Sequence, residues 1–176
     1  MWKRIAALFL VVVSLAIAGC AGPTGGLQSY ADGYDGYEFL YPNSWVAVDT
    51  KNLVPDVIFR DLIERSENVS IVISPVPEGK TIADLGTPTE VGYRLSKQTE
   101  GDRVAELLDA HTREADGKTY YIFEYAVELP SGDRHNIASA IVRRDKLFTL
   151  NVSTSETRWQ KVGDRFRTVI NSFNVY

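Results

Sequence analysis

Cysteine and histidine are nearly missing from this chain of 176 residues: Cys20 is the only cysteine, and His111 and His135 are the only histidines. A lone cysteine excludes an internal disulfide framework and a cysteine-rich zinc site. Basic charge is not in excess. Nineteen Lys and Arg stand against 23 Asp and Glu, a formal net charge of −4, whereas a nucleic-acid binder shows a basic surplus or a basic stripe. There is no Gly-x-Ser-x-Gly elbow for a serine nucleophile, no Gly-x-Gly-x-x-Gly and no Walker loop. Nor is any apolar run long enough to cross a bilayer core of about 30 Å. The longest, Ile5 to Ala18, has 14 residues and one polar member, Ser14.

What stands at the N-terminus reads as an address. Lys3 and Arg4 precede the apolar run, and the run ends Ile17-Ala18-Gly19-Cys20. A short positive region and a short apolar region describe a secretory signal peptide. An aliphatic residue, two small residues and a cysteine resemble the bacterial lipobox, in which the thiol is acylated and the chain is cut before it. The alternative is an ordinary cleaved signal with an incidental cysteine. Lipidation at Cys20 would supply several acyl chains, each buried CH₂ adding about 0.8 kcal/mol, enough for stable anchoring. Cleavage after residue 19 leaves 17 basic against 23 acidic residues, a formal charge of −6. So acidic a body is repelled by anionic headgroups, so attachment is expected from the acyl chains and not from the folded surface.

Three segments are expected: a lipoprotein-type signal at 1–19, the lipidated cysteine with a flexible tether at 20–36, and one domain at 37–176. The tether assignment rests on Gly22, Pro23, Gly25, Gly26, Gly33 and Gly36. Alternation with period two marks strands at Tyr37–Tyr41, Val69–Ile73, Tyr121–Leu129, Ile137–Val142 and Leu147–Val152. The last two pair across Arg143-Arg144-Asp145-Lys146. Residues 104–109 alternate weakly and are compatible with a strand or a helix. Thr87-Pro88-Thr89-Glu90 is a capping box opening a helix that runs to about Thr99 and stops at Gly101. Ser153-Thr154-Ser155-Glu156 is a second box, followed by Trp159, Val162, Phe166, Val169, Ile170 and Phe173 on one helical face. A turn of helix is expected near Thr81 to Leu85. Hairpins with inserted helices make an α+β sandwich around a mostly antiparallel sheet.

Candidate site residues are few. Asp109 and His111 share a strand face, and Asp133 lies close to His135. These four are either solvated side chains on polar segments or ligands of a weakly held divalent ion such as Zn²⁺. Asp32, Asp35 and Glu38 either solvate the tether or hold Ca²⁺. Arg60, Asp61, Glu64 and Arg65 either pair with one another at the surface or form a docking patch whose charge confers specificity.

Longer strings carry a resemblance. Gly36-Tyr37-Glu38-Phe39-Leu40-Tyr41-Pro42-Asn43-Ser44-Trp45 resembles the opening of the PsbP family of photosystem II extrinsic proteins. Asp56 to Glu64, Glu67 to Ile71, the aromatic stretch Tyr120–Leu129 and the ending Arg158–Phe173 resemble later family blocks, together spanning 37–176. The resemblance implies an α-β-α sandwich and a lipid-anchored place on the lumenal side of the thylakoid membrane. It also implies association with photosystem II subunits or assembly intermediates, in support of the oxygen-evolving complex, with no chemistry of its own and no required cofactor. Some members are associated with Mn²⁺, Ca²⁺ or Zn²⁺. The plant protein's extended N-terminal segment, which acts on ion retention, has no counterpart here. Two other readings stay open: a divalent-metal protein or carrier using the histidines, and an envelope lipoprotein of the same fold with another partner.

Overall fold

The computed structural model describes residues 25–51, 53–97 and 103–176. The expected signal, Cys20 and the expected helix stop at Gly101 lie outside the described residues. In chain order the elements are β1 (Leu27–Asp32), β2 (Tyr37–Pro42), β3 (Trp45–Ala47), β4 (Val57–Asp61) and β5 (Asn68–Pro75). A 3₁₀ turn (Ala83–Leu85) and α1 (Pro88–Lys97) follow. Then come β6 (Val104–Ala115), β7 (Lys118–Glu128), β8 (Arg134–Arg143), β9 (Lys146–Ser155), α2 (Glu156–Asn171) and β10 (Asn174–Val175). Seven strands form one sheet in the order β3-β4-β5-β9-β8-β7-β6, and β1-β2-β10 form a second. Every pairing is antiparallel.

The large sheet is apolar on both faces, and period-two alternation sorts its side chains. Tyr121, Phe123, Tyr125 and Val127 of β7, with Ala138, Ala140 and Val142 of β8, pack with Val91 of α1 and with Ile82. Tyr120, Ile122, Ile137, Ile141, Phe148, Leu150 and Val152 point the other way. There they meet Phe166, Val169 and Ile170 of α2, and Tyr37, Phe39 and Val175 of the small sheet. The result is the α+β, α-β-α sandwich with its sheet central and antiparallel, one helix on one face, the other helix and the small sheet opposite.

Two expectations are corrected and one left open is decided. Leu27–Asp32 is a strand paired along its whole length with β2, so the described fold starts well inside the expected 20–36 tether. Glycine content misled there because Gly33 and Gly36 sit in the hairpin turn, and Gly36 holds φ 69° as a turn requires. The 104–109 segment belongs to a 12-residue strand whose alternation is broken by an irregularity between Leu107 and Asp109. The second capping box does not form. Ser153 and Thr154 remain in β9, and Ser155 caps α2 with no side-chain hydrogen bond. The hydroxyl of Thr154 instead donates to Glu67 at 3.1 Å.

The first capping box does form. Glu90 Oε2 accepts the Thr87 backbone N–H at 2.8 Å, and Thr87 Oγ1 accepts the Glu90 N–H at 3.3 Å. The Thr87 backbone N–H and the Thr87 hydroxyl, which donates to the same oxygen at 3.0 Å, hold the Glu90 carboxyl below its usual range. A carboxyl with a lowered folded-state value stabilises above its unfolded value, and the gain vanishes as pH falls through the folded one. Thr87→Ala should cost about 1 kcal/mol at neutral pH, and urea titrations should show that difference shrinking as the pH is lowered below the carboxylate range.

Gly92 lies in α1 against the sheet. A Cβ there would sit 2.9 Å from Phe123 and 3.0 Å from Leu107. Gly→Ala inside a helix normally gains about 1 kcal/mol, but overpacking a filled contact costs about 1–3 kcal/mol. Gly92→Ala should therefore destabilise by about 1 kcal/mol in chemical denaturation.

Candidate functional site

On the α2 face the apolar stripe of β7 runs Tyr120, Ile122 and then meets Glu124. A row of polar side chains starts there and crosses the sheet beneath the first turns of α2. Glu67, just ahead of β5, is buried, and its carboxylate accepts Arg158 Nε at 2.5 Å as well as the Thr154 hydroxyl. On β8, His135 is 4% exposed, which rules out a solvated side chain. Its Nε2 lies 2.8 Å from Glu124 Oε1 and its Nδ1 lies 3.0 Å from Glu156 Oε2. The ring stacks on Trp159 at 3.8 Å and 11°. Arg167 completes the group, donating to both Glu124 oxygens at 3.2 Å while lying over the same indole.

The row ends on β6, where Asp109 stands directly opposite Glu124. Two acids facing across a ladder repel; Arg167, paired with Glu124, offsets that repulsion, and His111 lies 2.7 Å from Asp109. Asp109, His111, Glu124 and Arg167 line a groove of about 290 Å³ beside α2.

The four residues expected around an ion are therefore used differently. Asp109 and His111 form an exposed pair. Asp133 is exposed on the β7–β8 turn, where its carbonyl accepts the Glu156 N–H at 3.0 Å. His135 faces Glu124 and Glu156, which engage both ring nitrogens. Among the described residues no group of three or more His, Cys, Asp or Glu side chains is placed to hold a metal ion.

Asp32, Asp35 and Glu38 are likewise separated. Asp32 Oδ1 accepts the N–H of Tyr34 and of Asp35 at 2.8 Å, Asp35 pairs with Lys146 at 2.8 Å, and Glu38 accepts the Asn174 amide at 3.1 Å. Arg60, Asp61, Glu64 and Arg65 do cluster at one end of the large sheet, yet they do not pair with one another. Asp61 accepts two backbone N–H groups, and Glu64 accepts the Ser66 hydroxyl at 2.6 Å.

Sequence reasoning missed Glu67, Glu124, Glu156, Trp159 and Arg167 as members of one group. The signal lay in register: Ala126 pairs with His135, which makes Glu124 its diagonal neighbour on the same face.

Comparison with known proteins decides the relationship. The profile of the PsbP family matches residues 25–175. This chain belongs to the PsbP family. As a PsbP-family member it is 48% identical to CyanoP of Synechocystis sp., over 96% of this chain and 94% of that protein. It is 47% identical to CyanoP of Thermosynechococcus vestitus over the full length of both. The solution structure of cyanobacterial PsbP from Synechocystis superposes with a TM-score of 0.75 at 49% identity, covering 90% of this chain and 99% of that one. The PsbP-family match begins at Gly25, in agreement with β1 being part of the domain.

The two histidines should respond oppositely to truncation. His135→Ala removes two hydrogen bonds to carboxylates and a stacked contact, and should cost about 3 kcal/mol. His111→Ala, at an exposed pair, should stay within about 0.5 kcal/mol of the parent. Urea denaturation monitored by circular dichroism measures both.

Proposed function

We propose that this chain is a lumenal, photosystem II-associated accessory protein that performs no chemistry itself. It serves the assembly or stabilisation of the oxygen-evolving complex and is held on the lumenal side of the thylakoid membrane by acyl chains on Cys20. The observation that carries this reading is the near-half identity to two cyanobacterial CyanoP proteins over essentially the whole length. A likeness of that extent includes the surface as well as the core. The sequence Ile17-Ala18-Gly19-Cys20 supports the anchor. Confinement to the membrane raises the effective concentration near an integral partner, so a weak docking surface suffices. The folded domain supplies rigidity: its charged groups around Glu67 and His135 are spent on holding α2 to the sheet.

Mild-detergent isolation of photosystem II and its assembly intermediates should recover the chain with photosystem II subunits; recovery solely with unrelated membrane complexes would overturn the reading. The acyl anchor has its own test. Cys20→Ser should move the chain from the membrane pellet to the soluble fraction, and the mature N-terminal peptide of the parent should carry the acyl mass. A Cys20→Ser chain that stays on salt-washed membranes rejects the anchor.

A further inference from the structure

The β4–β5 connection is built to hold two aliphatic side chains in water. Asp61 Oδ1 accepts the backbone N–H of Ile63 at 2.7 Å and of Glu64 at 2.8 Å. The Glu67 N–H donates to the Glu64 carbonyl at 2.8 Å, and the Arg134 guanidinium holds the Ser66 carbonyl. Leu62 and Ile63 stand outside this frame, 63% and 96% exposed. A loop free to rearrange would turn such side chains inward; this one is fixed by its own acids. Asp61, Glu64 and Glu67 are thereby occupied internally. Arg60 and Arg65, both exposed, have no ion-pair partner among the described residues. Leu62 and Ile63 thus stand between two arginines that form no ion pair among the described residues, on a domain whose overall charge is negative.

Topology sets where this tip lies relative to the N-terminal segment. Gly26 accepts the Asn43 N–H at 3.0 Å, and Arg165 grips the same carbonyl at 2.6 Å. Asn43 lies two residues before Trp45, and Trp45 pairs with Asp61, the residue that opens the loop. The chain therefore enters the fold at the end of the sheet that carries Leu62 and Ile63. Six residue steps separate Cys20 from Gly26, a reach of at most about 20 Å. A domain tethered that closely presents its entry end to the bilayer.

We infer that the Leu62–Ile63 tip is a second membrane contact, with the two aliphatic side chains entering the boundary between headgroups and acyl chains and Arg60 and Arg65 at the level of the lipid phosphates. This assignment rests on the acyl anchor proposed above. It departs from the expectation drawn from net charge, because two arginines without ion-pair partners among the described residues flank the apolar tip. Interfacial contacts of this kind combine a small buried apolar area with attraction of basic side chains to anionic lipid. The opposite end of the sheet, with the β8–β9 turn, then faces the lumen.

The test uses the acylated chain with Ile63→Cys carrying a polarity-sensitive dye, on vesicles of phosphatidylglycerol and phosphatidylcholine. Mass spectrometry of the N-terminal peptide confirms acylation in the same sample. Emission from position 63 should brighten, shift to shorter wavelength and be quenched by lipid-borne nitroxide. The same dye at Glu78→Cys, exposed at the opposite end, should not respond. Adding Leu62→Ser should diminish the shift at position 63. An acylated chain with an unshifted dye at position 63 overturns the tip assignment and leaves the anchor standing. A free Cys20 thiol overturns the anchor and, with it, the placement of the tip. A response with photosystem II particles in detergent but not with vesicles assigns the tip to a protein partner and overturns the membrane contact.

Discussion

A single sheet that is apolar on both faces is the constraint from which the rest of this fold follows. Strand β7 shows it most plainly, with Tyr120 and Ile122 on one side and Tyr121, Phe123, Tyr125 and Val127 on the other. Neither face can be left to water, since each large side chain loses about 1.5–3 kcal/mol if it stays exposed. One helix with its preceding 3₁₀ turn covers the first face. The second is wider and needs both α2 and a small sheet of three strands. The small sheet brings Tyr30 and Phe39, which meet each other and Phe59 of β4 at 5.2–6.2 Å. Tyr37 donates its hydroxyl to Asp56 at 2.5 Å, and its burial beside that carboxylate pushes the phenol far above the ordinary tyrosine range.

Where the cover thins, charge takes over. The polar row from Glu67 through His135 and Glu124 to Asp109 lies along the margin of the α2 contact. Glu67 and Glu124 each find a partner on α2 and another on a neighbouring strand, while Asp109 pairs with His111 on its own strand. Buried ion pairs of this kind add little net stability, because desolvation offsets the attraction, but breaking one is costly. Their effect here is to define one placement of α2: Arg158 must reach Glu67, Glu156 must reach His135, and Trp159 must lie flat on the imidazole. A helix held only by Phe166, Val169 and Ile170 could slide; one held also by these pairs cannot.

Much of the fold was legible because period-two and period-3.6 patterns are written by burial itself. The stripes of β7 and β9, the Thr87–Glu90 box and the apolar face of α2 appear in the sequence where the structure has them. What was not legible depends on partners distant in sequence. Leu27–Asp32 looks like linker because its alternation is weak and glycines flank it on both sides; it is a strand because β2 offers an edge. Ser153-Thr154-Ser155-Glu156 satisfies the capping pattern, yet β9 needs the first residues for its ladder and Glu67 needs the Thr154 hydroxyl. For the polar site, His135 was visible, but its true neighbours Glu124 and Glu156 lie 11 and 21 residues away. Proximity in sequence pointed to Asp133 instead. The clustering of Arg60, Asp61, Glu64 and Arg65 was visible; that the acids fold the loop while the arginines project was not.

Strand β2 takes its two neighbours from opposite directions along the chain, β1 just before it and β10 at a separation of 136 residues, as between Glu38 and Asn174. Non-local pairing of that span closes late, because the loop entropy must be met before the contacts return anything. Until Val175 has been synthesised, Tyr37 has no strand on one side, and the layer over Phe148 stays open. A chain of this design cannot complete the small sheet before the residues up to Val175 have emerged.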